Sequence, residues 1–235
     1  MIIHKLVFRY LKHKDDPGFY LLQAQDTVRW LEKVGIELSE ETTVLDLACG
    51  HGNIGGELLK KGCRVTFADE LNSLLPEFRA NAEFRQIDID RDDLGTLGTY
   101  DLVICSNVLE HIPRPAKLID SIDWVLNPGG KLYLSWTNWL SPWGGQDYSP
   151  FHYLGPRRGH LVYDKVVRGP RTHTPYVSLF PTSIGGTLRM LHKNQNLRIV
   201  RVLPRYYPEL GFITRIPFVR EFLTINCLIL VKRRT

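Results

Sequence analysis

The sequence predicts an α/β fold on a largely parallel sheet, and three observations carry that prediction. Apolar strand-like runs alternate with helical stretches through the first 139 residues. A glycine cluster, CGHGNIGG (49–56), lies where the strand TTVLDLA (42–48) turns into the helix GELLKK (56–61). The chain's 235 residues, 43% of them hydrophobic, are enough for one full core and short for two.

The elements follow in order. A helix runs from about Phe19 to Val34 and is stopped by Gly35. After the glycine cluster come the strand CRVTFAD (63–69), a helix LNSLLPEF (71–78) and the strand AEFRQID (82–88). The strand YDLVICS (100–106) is joined to KLYLSWTNW (131–139) by the crossover helix PAKLIDSIDWVL (115–126). Residues 140–176 then change texture, to Gly, Pro, Trp, Tyr, His and Arg without a period. A helix resumes over Thr182–His192 behind a capping Thr or Ser, and LRIVRVL (197–203) and TINCLILVKR (224–233) read as two final strands.

Composition excludes several classes. Aromatic residues make up 11% of the chain, which is too many for a disordered polymer. No run of 18 apolar residues exists, so no transmembrane helix is expected. The N-terminus MIIHKLVFRYLKHK is too charged for a secretory signal. Cys49, Cys63, Cys105 and Cys227 are widely spread with no C-x-x-C pair, which argues for a reducing, cytoplasmic location. Charge is divided unevenly: residues 1–139 carry 15 Lys+Arg against 21 Asp+Glu, and residues 140–235 carry 15 against 4. The basic second part suggests an anionic partner.

The motif with chemistry in it is VLDLACGHGNIG (44–55). Gly50-His51-Gly52-Asn53-Ile54-Gly55 fits the G-x-G-x-x-G dinucleotide pattern, and Asp69 lies 19 residues after Gly50 at the end of the next strand. This alone leaves a nicotinamide dinucleotide and S-adenosylmethionine both open. Asp46, four residues before Gly50, is awkward beside a pyrophosphate and useful near an amino group or sulfonium. Asp88 ends a third strand, where it can accept from an adenine amino group. The block YDLVICSNVLEHIPRP followed by WVLNPGGKLYLSW completes the set.

With these four elements in order over residues 42–139, the sequence resembles the class I S-adenosylmethionine-dependent methyltransferases of the bacterial small-molecule type. The resemblance implies a Rossmann-like, doubly wound, seven-stranded and mostly parallel sheet with an antiparallel last strand. It also implies an insertion after the fifth strand that forms a lid. The whole chain, 1–235, is then one domain. Helices in 1–40 cover the site, 42–139 bind the cofactor, 140–180 form the lid, and 181–235 supply the last helix and edge strands.

By resemblance, Asp46 through Gly52, with Ala48 and Gly50 among them, surround the methionine part of the cofactor and Asp69 binds the ribose; Asn53 and Glu70 are counted among the cofactor-binding residues. Asp88 and Ile89 meet the adenine, and Ser106 and Asn107 lie beside the reacting methyl. Ala48 stands where the family's first glycine usually does. His111 is the candidate base for an oxygen nucleophile, and His152 is the second. Some quinone-biosynthesis O-methyltransferases carry E-x-x-E-H where this chain has NVLEH (107–111). With Asn107 in an acidic ligand's place, no metal is expected.

The acceptor is expected to be a small or lipid-linked molecule with an apolar or ring-containing body and an anionic group. Trp139, Trp143 and Tyr153 would supply flat surface, and Arg157 and Arg158 would bind the anion. Nucleic acid is disfavoured because no recognition module accompanies the basic residues. Two other readings stand beside this one: an NAD(P)-binding oxidoreductase, and an inactive adaptor of the same fold. Finally, Ile3, Leu6, Val7, Tyr10 and Leu11 fall on one helical face opposite Lys5, Arg9 and Lys12. That helix is expected to dock on its own domain over the active site, with a peripheral membrane contact as the alternative.

Overall fold

The computed structural model describes residues 2–13, 17–80, 82–169 and 171–235. The side chain of Tyr10 and residue Pro170, a residue of the expected lid, lie outside the described residues. Seven strands form one sheet: β1 (Thr43–Leu47), β2 (Arg64–Asp69), β3 (Glu83–Gln86), β4 (Tyr100–Ser106), β5 (Leu126–Thr137), β6 (Leu197–Pro204) and β7 (Asn226–Arg233). Their order is β3-β2-β1-β4-β5-β7-β6. The first five pair in parallel, and β7 runs antiparallel between β5 and β6. This is the expected doubly wound sheet with its reversed hairpin.

Both faces of the sheet's centre are covered, which explains why β1, β2, β4 and β7 read as largely apolar runs, while the edge strands β3 and β6 are partly exposed. Alternate residues serve opposite layers. Leu45, Leu47, Val103, Cys105, Leu134 and Ile229 pack with α5 (Pro115–Ser121) and α7 (Ile184–Lys193). Val44, Phe67, Leu102, Ile104 and Tyr133 pack with α2 (Pro17–Lys33) and α3 (Asn53–Leu59).

Three departures from the expected elements have local causes. The helix expected over 71–78 is only α4 (Pro76–Arg79), because Pro76 is tolerated in a first helical turn and not deeper. The crossover helix ends as α5 at Ser121, and a tighter turn over Ile122–Val125 leads into β5. The non-periodic insertion contains a helix, α6 (Gly159–Val166), and two short 3-10 turns, Gln146–Tyr148 and Phe151–Leu154. Trp139, Tyr148, Tyr163 and Leu179 give that insertion a small core of its own.

At the N-terminus α1 (Ile3–His13) is anchored where the amides of Ile2 and Ile3 donate to the carbonyl of Tyr206 at 3.0 and 3.3 Å. Its inward face is narrower than the sequence suggested: Ile2 and Leu6 are buried, while Leu11 is 79% exposed and Phe8 69%. α8 (Val219–Leu223) precedes β7. No helix among the described residues is long and apolar enough to cross a membrane.

Candidate active site

The sheet changes winding direction between β1 and β4, and the candidate residues gather at the carboxyl ends of those strands. Ligands of open α/β sheets bind at that place. Ala48 and Gly50 both adopt left-handed backbone, with φ of 55° and 53°. For Ala48 this is a strained conformation that the glycine usual at that position would relieve. A Cβ added to Gly50 would meet nothing within 4 Å, so the loop opens onto free space there. Gly52 is the left-handed N-cap of α3, and Asn53 is the helix's first residue. At Gly55 a Cβ would meet the Asp46 carboxylate oxygen at 2.8 Å and the Phe67 ring.

Two carboxylates brace this loop. Asp46 is buried and accepts from the Gly55 amide at 2.8 Å. Burial pushes its carboxyl up to about 7; the Gly55 N–H opposes that shift and the charge of Asp69 adds to it. Asp69, half-buried at the end of β2, accepts from the amides of Gly50 and Glu70, both at 2.7 Å. Glu70 is exposed. The Asp88 carboxylate caps its own turn, accepting from the amides of Asp90 at 2.9 Å and Arg91 at 3.2 Å, and Ile89 packs against the core. Around one open loop these acids suit a cofactor rich in donors and positive charge. A pyrophosphate there would meet like charge.

Beside the loop, at the end of β4, Ser106 Oγ lies 3.1 Å from Ser135 Oγ, and Asn107 turns left-handed with φ of 57°. The Asn107 side-chain oxygen accepts from Asn226 Nδ2 at 2.8 Å. Behind both sits Arg205, 4% exposed, with no carboxylate of the described residues within ion-pairing distance. It donates to Ser106 Oγ at 3.0 Å, Thr27 Oγ1 at 3.1 Å and Ser135 Oγ at 3.2 Å. The Tyr133 and Tyr206 rings lie against it. Sequence reasoning missed Arg205; a single arginine after an edge strand carries no local signal.

A cavity of about 390 Å³ adjoins Asn107. Ile3, Leu6 and Val7 of α1, with Phe19 and Tyr20 of α2, give it apolar walls. Glu110, His111 and Thr137 line it from the core, and Trp143, Asp147 and His173 from the insertion. His111 Nδ1 lies 2.8 Å from the carbonyl of Ser178. Nδ1 therefore carries the proton and Nε2 is left with a lone pair. Glu110 is buried, with Oε1 accepting from the Thr137 amide at 2.8 Å and Oε2 without a partner. Burial raises its carboxyl, against the opposing charge of His111.

Other expected site residues lie elsewhere. His152 is 1% exposed, its Nε2 lies 3.0 Å from the Ser141 carbonyl, the Trp139 ring meets it edge-on and the Tyr153 ring lies tilted against it. It is a packing residue of the insertion, since a base must reach its substrate. Trp139 belongs to the same small core, and Tyr153 donates its hydroxyl to the Leu140 carbonyl on the outer surface. Arg157 and Arg158 are exposed and outside the cavity, whose lining contains no Lys or Arg among the described residues. Trp143 is thus the one expected acceptor residue that lines it. No three His, Cys, Asp or Glu among the described residues come together as a metal site.

Residues 10–176 match the family described as methyltransferase domain. An uncharacterized methyltransferase of Mycolicibacterium gilvum is 32% identical, over 97% of this chain and 91% of its own. One from Mycobacteroides abscessus is 30% identical, over 92% and 87%. Among solved structures, an S-adenosylmethionine-dependent methyltransferase of Mesorhizobium loti superposes with a TM-score of 0.60 at 21% identity, covering 88% of this chain and 98% of that one. Magnesium protoporphyrin IX methyltransferase of Synechocystis, with S-adenosylhomocysteine bound, gives 0.57 at 18%, covering 91% and 83%. The chain belongs to the methyltransferase domain family, and its fold is that of the S-adenosylmethionine-dependent enzymes.

Proposed function

We propose that this chain transfers the methyl group of S-adenosylmethionine to a hydroxyl on an acceptor with an apolar or ring-containing body. The observation that carries the reading is His111: its Nδ1 is committed to the Ser178 carbonyl, and its ring lines a cavity next to Asn107 that has apolar walls from α1 and α2. The cofactor would supply an electrophilic methyl group. Asp46, Asp69 and the Gly50–Gly52 backbone would hold its amino and ribose groups, and Asn107 would stand between cofactor and acceptor. Displacement at a sulfonium needs in-line positioning above all, and an oxygen nucleophile needs in addition a place for its proton. An unprotonated imidazole nitrogen in this cavity offers that place, and both His111 and His173 line it. The anion expected on the acceptor has no support at the reacting end, where Glu110 and Asp147 stand and the arginines do not.

The test is methyl transfer from radiolabelled S-adenosylmethionine to a panel of phenols and long-chain alcohols, with amines and thiols of matching shape beside them. Hydroxyl acceptors should be methylated, and His111→Ala should lower turnover by ~10²–10⁴-fold with cofactor affinity intact. Transfer to amines or thiols with the hydroxyl series untouched would overturn the oxygen assignment.

A further inference from the structure

We propose that the insertion supplies a second working histidine, His173, which Asp147 holds in place to receive the acceptor's proton. The proposal rests on the oxygen-methylation reading and names the group that completes that site. Asp147 and Asp164 are the only acids in residues 140–180, and each is committed to one partner segment. Asp164 takes the Arg171 guanidinium at 2.9 Å. Asp147 Oδ2 accepts from the Thr172 amide at 2.6 Å, Thr172 Oγ1 at 2.7 Å, the His173 amide at 2.8 Å and His173 Nδ1 at 3.1 Å. Burial raises the Asp147 carboxyl, and these hydrogen bonds outweigh it and hold it below its ordinary value, so it is ionised.

The bonding fixes the tautomer. A carboxylate cannot donate, and the Thr172 hydroxyl spends its proton on Asp147 at 2.7 Å, so His173 Nδ1 is the protonated nitrogen, shared between Thr172 Oγ1 at 2.9 Å and Asp147 Oδ2 at 3.1 Å. Its Nε2 is then the basic one, as in His111. The two rings lie 5.3 Å apart at 30°, and both line the same cavity. They differ in what stands behind them: a neutral carbonyl for His111, a full negative charge for His173. A proton arriving on His173 makes an ion pair, whereas one arriving on His111 is met only by a dipole. Glu110 lies next to His111 and is driven toward its neutral form by burial. Arg171 Nη1 donates to the His173 carbonyl at 2.6 Å, and its charge is balanced by Asp164. Two imidazolium ions this close would repel, so one ring takes the proton and the other stays neutral.

The step balances as follows. A lone pair of the acceptor oxygen forms the new C–O bond while the C–S bond breaks and its electron pair stays on sulfur. The hydroxyl proton passes to His173 Nε2, and the neutral His111 ring packs against His173 and bounds the cavity beside the hydroxyl. Asp147 keeps its charge throughout, and the proton leaves to water after release.

Imidazole nitrogen NMR of the full chain with S-adenosylhomocysteine tests this without knowledge of the natural acceptor. The neutral His173 ring should be the Nδ1–H tautomer, with Nε2 unprotonated. Asp147→Asn should shift the His173 Nδ1 signal or its tautomer and leave the His111 signals in place. A His173 held as the Nε2–H tautomer, or one whose signals ignore Asp147→Asn, overturns the proposal. With any phenol or alcohol that serves as substrate, Asp147→Asn should lower kcat with KM little changed. His173→Ala should lose ~10²-fold or more in kcat and regain part of it with added imidazole, while His173→Gln, which folds alike but cannot take a proton, should not be rescued. Unchanged kcat in His173→Ala would sink the proposal and leave oxygen methylation standing. If only amines or thiols are methylated, the reaction assignment fails instead, and the NMR result still decides how the pair is built.

Discussion

Asp46 shows how one side chain can serve two purposes at odds. Its carboxylate ties β1 to the start of α3 through Gly55, at a point the sheet has closed to water. The folded carboxyl is pushed up to about 7, above the ordinary carboxylate value of about 4. The folded chain therefore holds a proton that the unfolded chain gives up, and stability falls as pH rises between those two values. Asp46→Asn should raise the melting temperature at pH 8 and change it little at pH 4. A gain of about 2–4 °C is expected per kcal/mol for a chain of this size, readable by calorimetry at both pH values. A loss at pH 8 would mean that the ionised form is better paired than its surroundings imply. Retaining an acid at this cost fits a site built to meet a cation.

At the scale of elements, the cavity takes much of its wall from outside the sheet. α1 supplies Ile3, Leu6 and Val7, and α2 supplies Phe19 and Tyr20. The insertion is clamped to the turn after β4: Phe180 N donates to the Glu110 carbonyl at 2.7 Å and Thr182 Oγ1 to that of Leu109 at 3.1 Å. Removing residues 2–13 should leave S-adenosylhomocysteine affinity within about threefold and raise the acceptor KM tenfold or more, a factor of ten being ~1.4 kcal/mol. Equal losses for both ligands would show α1 to be part of the sheet's own stability. The central strands β1, β2 and β4 were legible because each is dominated by buried apolar residues, and Asp46 and Asp69 mark the ends of two of them. The insertion was not, because its order comes from Trp139, Tyr148 and Tyr163 meeting out of any period. His173 gains its meaning from Asp147, a partner 26 residues away that no local pattern can reveal. His152 misled for the converse reason: a histidine among aromatics looks the same in sequence whether it lines a cavity or fills a core.

Across the whole molecule, the topology separates what is read early in the chain from what is completed late. β1 to β5 follow the order a parallel sheet allows, with helices on both faces. β6 touches the sheet only through β7, which pairs with β5 over Lys131–Thr137 and with β6 over Leu197–Pro204. Leu228, Ile229 and Leu230 fill both core layers from that one strand. Charge follows the same divide, since the acidic cofactor half and the basic second half meet across β5 and β7.

For a chain being made on a ribosome, that arrangement sets the order of events. When β1 to β5 have emerged, β5 still shows one bare edge, and β6 emerges with no strand to join. Neither is satisfied until residues 226–233 clear the exit tunnel and enter between them. Closure of this half of the sheet therefore waits for β7, and the nascent chain carries an open apolar edge for the time it takes to synthesise some ninety residues, on the order of 5–20 s at typical rates. A chain truncated after residue 225 and released should be cut within β5 and β6 by a brief protease pulse and should recruit holdase chaperones. The chain that includes β7 should resist under the same pulse. Protection of the truncated chain equal to that of the one with β7 would mean that β6 finds another partner first.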